Sequence, residues 1–273
     1  MEVPSLILAD LHSHSDNSED GVDSVTELCE NAILKKLNYL AVTDHCEIDL
    51  YDTYRYESSL KQAYFDMIKA QDVFNGQISL LKGVELGNVL YNIELASKVA
   101  VNYPYDFILG SVHHPVGVDD FAFLNLNVVN IPELMDLYFE EVEKTVDWGR
   151  FDSLAHITYP LRYINGMYKL DVDIRRYEDK LIKIFKKIID KGIALEINVS
   201  GLRQPYGLTM PDMWCLSLYR EAGGRMITVG SDSHTAKDVG SHITDGLRLA
   251  RDAGFEEYCI FKNHEPAYIK IEL

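Results

Sequence analysis

Short runs of apolar residues recur along the chain, and each run ends in polar side chains. Val, Ile and Leu dominate these runs without polar alternation, which is typical of strands buried on both faces of a parallel sheet. The spacing of roughly 30 to 45 residues fits a strand, a helix and two loops. The pattern therefore predicts seven parallel strands, in the segments SLILADLHSH, NYLAVTDH, ISLLKGVELG, YDFILGSVHH, DSLAHI, IALEINVSG and MITVGSDSH.

The segments between these runs repeat apolar residues at i, i+3, i+4 and i+7, which predicts amphipathic helices. Ser24 and Glu27 have the spacing of a capping box and predict the start of the first helix. A second helix is expected from about 57 to 73 after a loop rich in Tyr and Asp, and Gly192 predicts the end of a later one. Helices are also predicted in IPELMDLYFEEVEKTVDW, RRYEDKLIKIFKKIIDKG and DGLRLARDAGF.

Strands that alternate with helices in this way favour a closed parallel α/β barrel. An open doubly wound sheet is the alternative, because strand order cannot be read from the sequence. The chain has no internal repeat, no low-complexity tract and no Gly/Ser/Pro-rich linker. We therefore expect a single domain over 1–273.

Composition narrows the classes of function. The 273 residues carry a net charge of −17, which argues against nucleic acid as a partner and favours a small-molecule ligand. No apolar run approaches the ~18 residues of a membrane span, and the segment MEVPSLILAD lacks the features of a signal peptide. The cysteines are far apart, as expected of free thiols in the cytoplasm, where we expect this protein; they are Cys29, Cys46, Cys215 and Cys259.

The polar residues at the predicted strand ends are mostly histidines and carboxylates. His12 and His14 form an H-x-H pair after the first run, and the functional groups of a parallel barrel lie at these carboxyl ends. Carboxylates that converge need cations, and imidazoles with carboxylates suit Zn, Fe or Mn. The other candidates at these ends are Asp20, Asp44, His45, Glu85, His113, His114, His156, Glu196, Asn198, Asp232 and His234.

Six motifs in order, DLHSHS with Asp20, AVTDH, GVELG, GSVHH, LAHI and GSDSH, resemble those of the PHP (polymerase and histidinol phosphatase) family. The resemblance covers nearly the whole chain. It implies a distorted (β/α)7 TIM-like barrel of PHP type that binds two or three divalent metal ions, with zinc, manganese and iron as the candidates.

The resemblance also implies which residues bind each ion. One metal would take His12, His14, Glu85 and Asp232; a second would share Glu85 and take His113 and His156; a third would take Asp20, His45 and His234. Asp20, Glu85, Asp232 and His234 would also be catalytic. His114 is the alternative to His113, and Glu196 and Asn198 are expected to support the ligands rather than to bind metal.

Within the family, FILGSVHH, HITYPLRY and ALEINVSGLRQ most resemble the stand-alone histidinol-phosphate phosphatases of histidine biosynthesis. This implies hydrolysis of L-histidinol phosphate to L-histidinol and phosphate. Arg162 and Arg203 follow two of the strands and are predicted to bind the phosphate, with surface ion pairs as the alternative. Loops that carry Asp119, Asp120, Tyr159 and Tyr163 are candidates for recognising the rest of the substrate.

Other interpretations stay open at this point. A phosphoesterase for nucleotides or oligonucleotide ends would use the same cluster, a non-catalytic metal-binding protein would keep it without turnover, and an amidohydrolase would lack the arginines. His242 and His264 are expected to be structural or exposed. The native metal, the acid that protonates the leaving group, and the oligomeric state are not determined by the sequence.

Overall fold

A computed structural model describes residues 7–273, and its main element is a parallel sheet. The strands are β1 (Ala9–Asp10), β2 (Tyr39–Val42), β3 (His45–Glu47), β4 (Ser79–Gly87), β5 (Phe107–Ser111), β6 (Ser153–Leu154), β7 (Ala194–Asn198) and β8 (Ile227–Gly230). They pair in the order β1-β2-β4-β5-β6-β7-β8, with β3 beside the second half of β4. Consecutive positions along the chain are therefore neighbours in the sheet, as in a singly wound barrel.

The first and last strands join, and this closes the sheet. The backbone N–H of Leu11 donates to Val229 O at 3.0 Å, and that of Asp232 donates to His12 O at 2.8 Å. The buried Asp10 carboxylate strengthens the closure, since it accepts from the backbone N–H of Ser231 at 2.8 Å. The predicted barrel is confirmed, and the open doubly wound sheet is wrong because its two edges would stay apart.

The second strand of the barrel is broken, which produces the distortion. Val42 pairs with Lys82, and after a gap of two residues His45 pairs with Glu85, so β2 and β3 are two halves of one bent strand. The barrel thus has seven strand positions. The break re-aims the side chains of β3, as irregularities in strands commonly do next to functional sites.

The helices pack around the barrel, and the predicted ones are confirmed. Ser24 and Glu27 form the capping box, and Gly192 ends its helix with a φ of 68° in the left-handed region. No helix among residues 7–273 is long and apolar enough to cross a membrane. The helices are α1 (Val25–Leu34), α2 (Tyr56–Val73), α3 (Ile93–Val99), α4 (Ile131–Trp148), α5 (Glu178–Lys191), α6 (Met213–Glu221) and α7 (Ile243–Asp252).

An antiparallel hairpin of β9 (Glu257–Lys262) and β10 (Glu265–Lys270) covers the amino-terminal end of the barrel. Phe261 stacks on Phe107, the first residue of β5, with ring centroids 5.4 Å apart. His264 at the turn is partly exposed, as expected, and its Nδ1 lies 2.9 Å from Asp152 Oδ2. The sequence analysis did not predict this hairpin. The single domain over 1–273 stays a prediction.

Candidate active site

A cavity of about 540 Å³ opens at the carboxyl ends of the barrel strands. Its floor is formed by strand-end residues and its outer wall by the loops that follow β5 and β6. The floor residues are Asp20, His45, Glu47, Glu85, His113, His156, Asp232 and His234, and the wall includes Asp120, Tyr159, Arg162 and Tyr163. The barrel therefore brings the predicted strand-end chemistry to one place.

Glu85 on β4 lies at the centre of the site and is fully buried. Its Oε2 is 3.2 Å from His12 Nε2 and 3.0 Å from His45 Nδ1. Its Oε1 is 3.0 Å from His156 Nε2 and 3.4 Å from His113 Nε2. One carboxylate thus contacts imidazoles from four different strand ends, which is the arrangement expected of a bridging ligand.

Asp232 lies beside Glu85 in the loop after β8. Its Oδ1 is 3.4 Å from His14 Nε2 and 3.7 Å from His12 Nε2, while Asn198 and Ser200 donate to its Oδ2 at 3.2 and 3.1 Å. Its φ of 52° lies in the left-handed region, which is uncommon outside glycine. Backbone strain of this kind is often kept where it orients a functional side chain.

Asp20 and three imidazoles form a further group toward solvent. The ring of His14 stacks between those of His45 and His234, with centroid distances of 4.2 and 4.3 Å. Asp20 is 54% exposed, and its carboxylate oxygens lie 3.0 Å from His234 Nε2 and 3.6 Å from His45 Nε2. This group continues the inner one because His14 belongs to both.

Glu196 and Asn198 contact the predicted metal ligands. Glu196 Oε1 lies 2.6 Å from His12 Nδ1, and its Oε2 accepts from the backbone N–H of His156 at 2.8 Å. Gly230 makes this possible, since a Cβ at that position would overlap both His12 and Glu196. These contacts fit the supporting function that the sequence analysis considered for Glu196.

Glu47 is a site residue that the sequence analysis missed. It is buried on β3, two residues after His45, and its Oε1 lies 2.9 Å from His113 Nδ1. Residues two apart on a strand share a face, so this spacing could have indicated it. Asp44, between the two halves of the bent strand, is directed elsewhere and accepts from Ser15 N at 2.6 Å.

The structure separates His113 from its neighbour His114. His113 contacts Glu85 and Glu47, whereas His114 Nε2 lies 3.0 Å from Asn88 Nδ2 and 3.3 Å from Asp49 Oδ2. The two side chains therefore have different surroundings. The preference for His113 as the ligand fits this geometry and stays a prediction.

Arg162 and Arg203 approach the site along different routes. Arg162 lines the cavity, and its guanidinium carbon lies 5.3 and 5.7 Å from the ring centroids of Tyr163 and Tyr159. Arg203 Nη2 instead donates to the backbone carbonyls of Ser231, at 2.7 Å, and of Asp232, at 3.2 Å. Arg162 thus presents its charge to the cavity, whereas Arg203 holds the loop that carries Asp232.

The protonation states at the site are of two kinds. Burial, and then the nearby His45 and His234, lower the pKa of His14 to about 3, so its imidazole is neutral. Burial would also lower the pKa of His12, but Glu196, Glu85 and Asp232 raise it well above its usual range. Burial alone would raise the pKa of Glu85, but His12 and His45 hold it well below its usual range. The carboxylate of Glu85 is therefore ionised, and a bound metal ion would replace the proton that an imidazole such as His12 carries.

Several buried atoms at the site have no hydrogen-bond partner among residues 7–273; they are His14 Nε2, His45 Nδ1, His156 Nδ1 and both carboxylate oxygens of Glu47. Donor atoms also lie within 4.8 Å of one another in three overlapping sets, which are His12, Glu85 and His156; His12, His14 and Asp232; and His14, His45 and His234. The residues present therefore fit divalent cations, because a cation would satisfy the groups that the protein leaves unpaired.

A closed parallel barrel whose strand ends gather imidazoles and carboxylates in a cavity defines a metal-dependent hydrolase. The chain belongs to the PHP family, since the PHP domain matches residues 10–200. It is 26% identical over 251 residues to a probable histidinol-phosphatase of Thermotoga maritima, covering 91% of this chain and 94% of that protein. It is 26% identical over 261 residues to the histidinol-phosphatase of Lactococcus lactis subsp. lactis, covering 92% and 93%.

A solved structure supports the same fold. The chain is similar to the histidinol phosphate phosphatase of Lactococcus lactis subsp. lactis Il1403, which was crystallised with zinc, L-histidinol and phosphate. The TM-score is 0.82 at 23% identity, and the match covers 96% of this chain and all of that one. The predicted membership of the PHP family and the predicted PHP-type barrel are both confirmed.

Proposed function

We propose that this protein is a metal-dependent phosphomonoesterase that hydrolyses L-histidinol phosphate to L-histidinol and phosphate. The observation that carries the proposal is the convergence of imidazoles on Glu85 in a cavity that also holds Arg162. Relatives named histidinol-phosphatase that align along more than nine-tenths of the chain support this substrate.

We further propose that two or three divalent ions, with Zn, Mn or Fe as the candidates, bind the predicted ligands, which are His12, His14, Asp20, His45, Glu85, His113, His156, Asp232 and His234. Bound ions would supply Lewis-acid stabilisation of the phosphoryl oxygens and a water molecule of lowered pKa. Glu85 lies between the imidazoles of the inner sets and joins them. Asp20 and His234 lie at the solvent side of the cluster, where an ester would enter.

Arg162 is proposed to hold the phosphate. Its guanidinium lies against the rings of Tyr159 and Tyr163, which restrict its motion while its N–H groups stay able to donate. A guanidinium suits the geometry of a phosphate and stabilises the charge of the transferred group. Arg203 would act indirectly. It donates to the backbone carbonyls of Ser231 and Asp232 and so holds the loop beside the reacting group.

The outer wall of the cavity suits the cationic end of the substrate. Asp120 lines the cavity, and the hydroxyl of Tyr159 lies 3.4 Å from both of its carboxylate oxygens. We propose that Asp120 attracts the ammonium group, because a half-buried carboxylate in a small cavity is a strong site for a compact cation. Asp119, the other candidate, is exposed beside it.

Steady-state kinetics on three substrates test the proposal. We expect kcat/KM for L-histidinol phosphate to exceed that for a nucleoside monophosphate and for p-nitrophenyl phosphate. The small esters should lose kcat as well as affinity, since binding energy from the remote end is expressed in the transition state. Equal efficiency on all three would leave a general phosphoesterase, and preference for the nucleotide would replace the proposed substrate.

A further inference from the structure

We propose that Glu47 is a positioning residue that accepts the Nδ1 proton of His113 and so directs the Nε2 atom of that imidazole at the metal ions. The inference rests on the proposed metal-dependent function, and it assigns to Glu47 an effect that acts through a histidine. Neutral imidazole carries one proton, and the group that accepts it determines which nitrogen is free to bind a metal.

The contact with His113 fixes the ring of that residue. Glu47 Oε1 lies 2.9 Å from Nδ1, and the opposite nitrogen, Nε2, lies 3.4 Å from Glu85 Oε1. A proton on Nδ1 therefore leaves the lone pair of Nε2 directed toward the inner set of donors. The other tautomer would place an N–H where a metal ion has to bind, and would set two acceptors, Nδ1 and the carboxylate, against each other.

The contact of Glu47 with His45 is longer, and it again involves the Nδ1 atom of the ring. Glu47 Oε1 lies 3.6 Å from His45 Nδ1, while His45 Nε2 lies 3.6 Å from Asp20. His45 Nδ1 is also 3.0 Å from Glu85 Oε2 but has no hydrogen-bond partner among residues 7–273, so His113 is the ring on which Glu47 acts. The Nε2 atoms of His113 and His45 thus point at the inner and outer groups respectively, and one oxygen of Glu47 lies behind both rings.

The surroundings of Glu47 leave it no alternative partner among residues 7–273. Neither carboxylate oxygen completes a hydrogen bond there, the side chain is buried, and the 2.9 Å approach of His113 Nδ1 is the shorter of its two contacts with imidazole nitrogens. Gly87 on the neighbouring strand leaves room for it, because a Cβ at that position would overlap the carboxylate. A buried carboxylate without hydrogen bonds is costly, so its two imidazole contacts account for its place in the fold.

Glu196 and His12 repeat the arrangement on the other side of the barrel. Glu196 Oε1 lies 2.6 Å from His12 Nδ1, and His12 Nε2 lies 3.2 Å from Glu85. Two carboxylates, on β3 and β7, thus act in the same way on imidazoles that meet at Glu85. Because the same kind of contact occurs twice, we attribute it to the orientation of metal ligands rather than to local packing around Glu47.

The test compares the Glu47→Ala and Glu47→Gln variants with wild type, and Glu19→Gln serves as the matched control. Glu19 is an exposed glutamate that lines the cavity and accepts from the hydroxyl of Tyr56 at 2.7 Å, and it makes no hydrogen bond or ion pair with an imidazole among residues 7–273. Nitrogen NMR of 15N-histidine in the metal-free full-length chain, read at a pH high enough for His113 to be neutral, reports which imidazole nitrogen carries the proton. Competition with a chromophoric chelator then gives the affinity for zinc.

We expect His113 in wild type and in the control to be protonated at Nδ1, and the Glu47→Ala variant to lose this preference. Zinc affinity should fall about 10- to 100-fold, as is usual when such a partner is removed, and Glu47→Gln should lie between because its amide oxygen still accepts. If Glu47→Ala does not fold, Glu47→Gln decides the matter, and an affinity and tautomer equal to wild type would overturn the inference.

Two further outcomes separate the hypotheses. Loss of one full equivalent of zinc with unchanged tautomers in the metal-free variants would identify Glu47 as a direct ligand and overturn its proposed positioning function. If wild type shows the expected tautomers but binds no metal and hydrolyses no ester, the proposed function is wrong. The proposed contact between Glu47 and the Nδ1 proton would then still be supported.

Discussion

Both ends of the barrel carry buried carboxylates, but their partners differ. At the amino-terminal end, Asp106 accepts from Lys82 Nζ at 2.9 Å and from the backbone N–H groups of Lys82 and Asn263. At the carboxyl end, Glu85 contacts five imidazoles, and Glu47 contacts two but completes no hydrogen bond among residues 7–273.

The difference shows that this fold places carboxylates that stabilise it at one end of the barrel and carboxylates suited to binding cations at the other. Asp106 meets a Lys ammonium and backbone N–H groups of β4 and of the hairpin turn, so its charge needs nothing from solution. The rim, by which we mean the carboxyl ends of the barrel strands around Glu85, instead holds ionised carboxylates among imidazoles, several of which have a ring nitrogen without a partner among residues 7–273. Such a cluster is complete only with added cations, as is usual at the catalytic end of a parallel barrel.

The largest effect is expected from the centre of the rim. Glu85→Gln removes the charge that five imidazoles share, so we expect metal content to fall and kcat/KM for L-histidinol phosphate to drop by about 10³-fold or more. Elemental analysis of the purified variant and steady-state kinetics measure both quantities.

Asp152→Asn, at the opposite end, is the matched control for Glu85→Gln. Asp152 accepts from the backbone N–H of Ile108 at 2.7 Å, so its loss should lower the free energy of unfolding by about 1 to 3 kcal/mol and leave kcat/KM unchanged. An Asp152→Asn enzyme that loses its metal ions, or a Glu85→Gln enzyme that keeps wild-type metal content and rate, would contradict the division between the two ends.

The sequence contained enough to predict the rim. Apolar runs without alternation predicted a parallel barrel, and a parallel barrel brings the ends of all its strands together. His12, Glu85, His156 and Asp232 each follow or end such a run, so their convergence could be anticipated without any knowledge of strand order. A pattern that is local in sequence was sufficient because the fold itself supplies the long-range contact.

Glu47 and the final hairpin could not be predicted in the same way. The second strand breaks after Val42 and resumes at His45, so the apolar run ended before Glu47, and only its spacing of two residues from His45 connected Glu47 with the site. In β10 only Ile269 is buried, which leaves too little hydrophobic alternation to indicate a strand. In both places tertiary pairing, rather than local preference, determines the structure.

Removal of the metal ions is expected to destabilise the protein through the rim alone. An ion present at 100 times its dissociation constant adds about 2.7 kcal/mol to the free energy of unfolding, and each further ion adds to this. Calorimetry should therefore give a higher Tm for the metal-loaded chain than for the chelator-treated one.

The same calorimetry on variants sharpens the comparison. The increment in Tm should persist in Asp152→Asn and shrink in Glu85→Gln, because only the second change removes a metal contact. Equal Tm values for loaded and chelator-treated wild type, with loss of the ions verified by elemental analysis, would mean that the unpaired groups of the rim do not depend on cations.

A smaller effect is expected from the arginines. Arg162→Ala should lower kcat/KM by about 30- to 1000-fold, or about 2 to 4 kcal/mol of transition-state binding, while the metal content stays at the wild-type level. Arg203→Ala should also weaken the binding of the phosphate group, because Arg203 donates to the carbonyls of Ser231 and Asp232 and so holds their loop in place. Near-native rates in both variants would place the phosphate elsewhere in the cavity.

The smallest effect is expected at the turn of the hairpin. His264 is 45% exposed and its Nδ1 lies 2.9 Å from Asp152, a partly exposed contact that is typically worth about 0.2 to 1 kcal/mol. His264→Asn is the appropriate change, because the φ of 64° at this position lies in the left-handed region that Asn tolerates. Urea unfolding should show a loss of less than about 1 kcal/mol, with kcat/KM and metal content unchanged. A clear fall in kcat/KM in this variant would show that the amino-terminal end of the barrel is coupled to the rim, which its complete set of hydrogen bonds argues against.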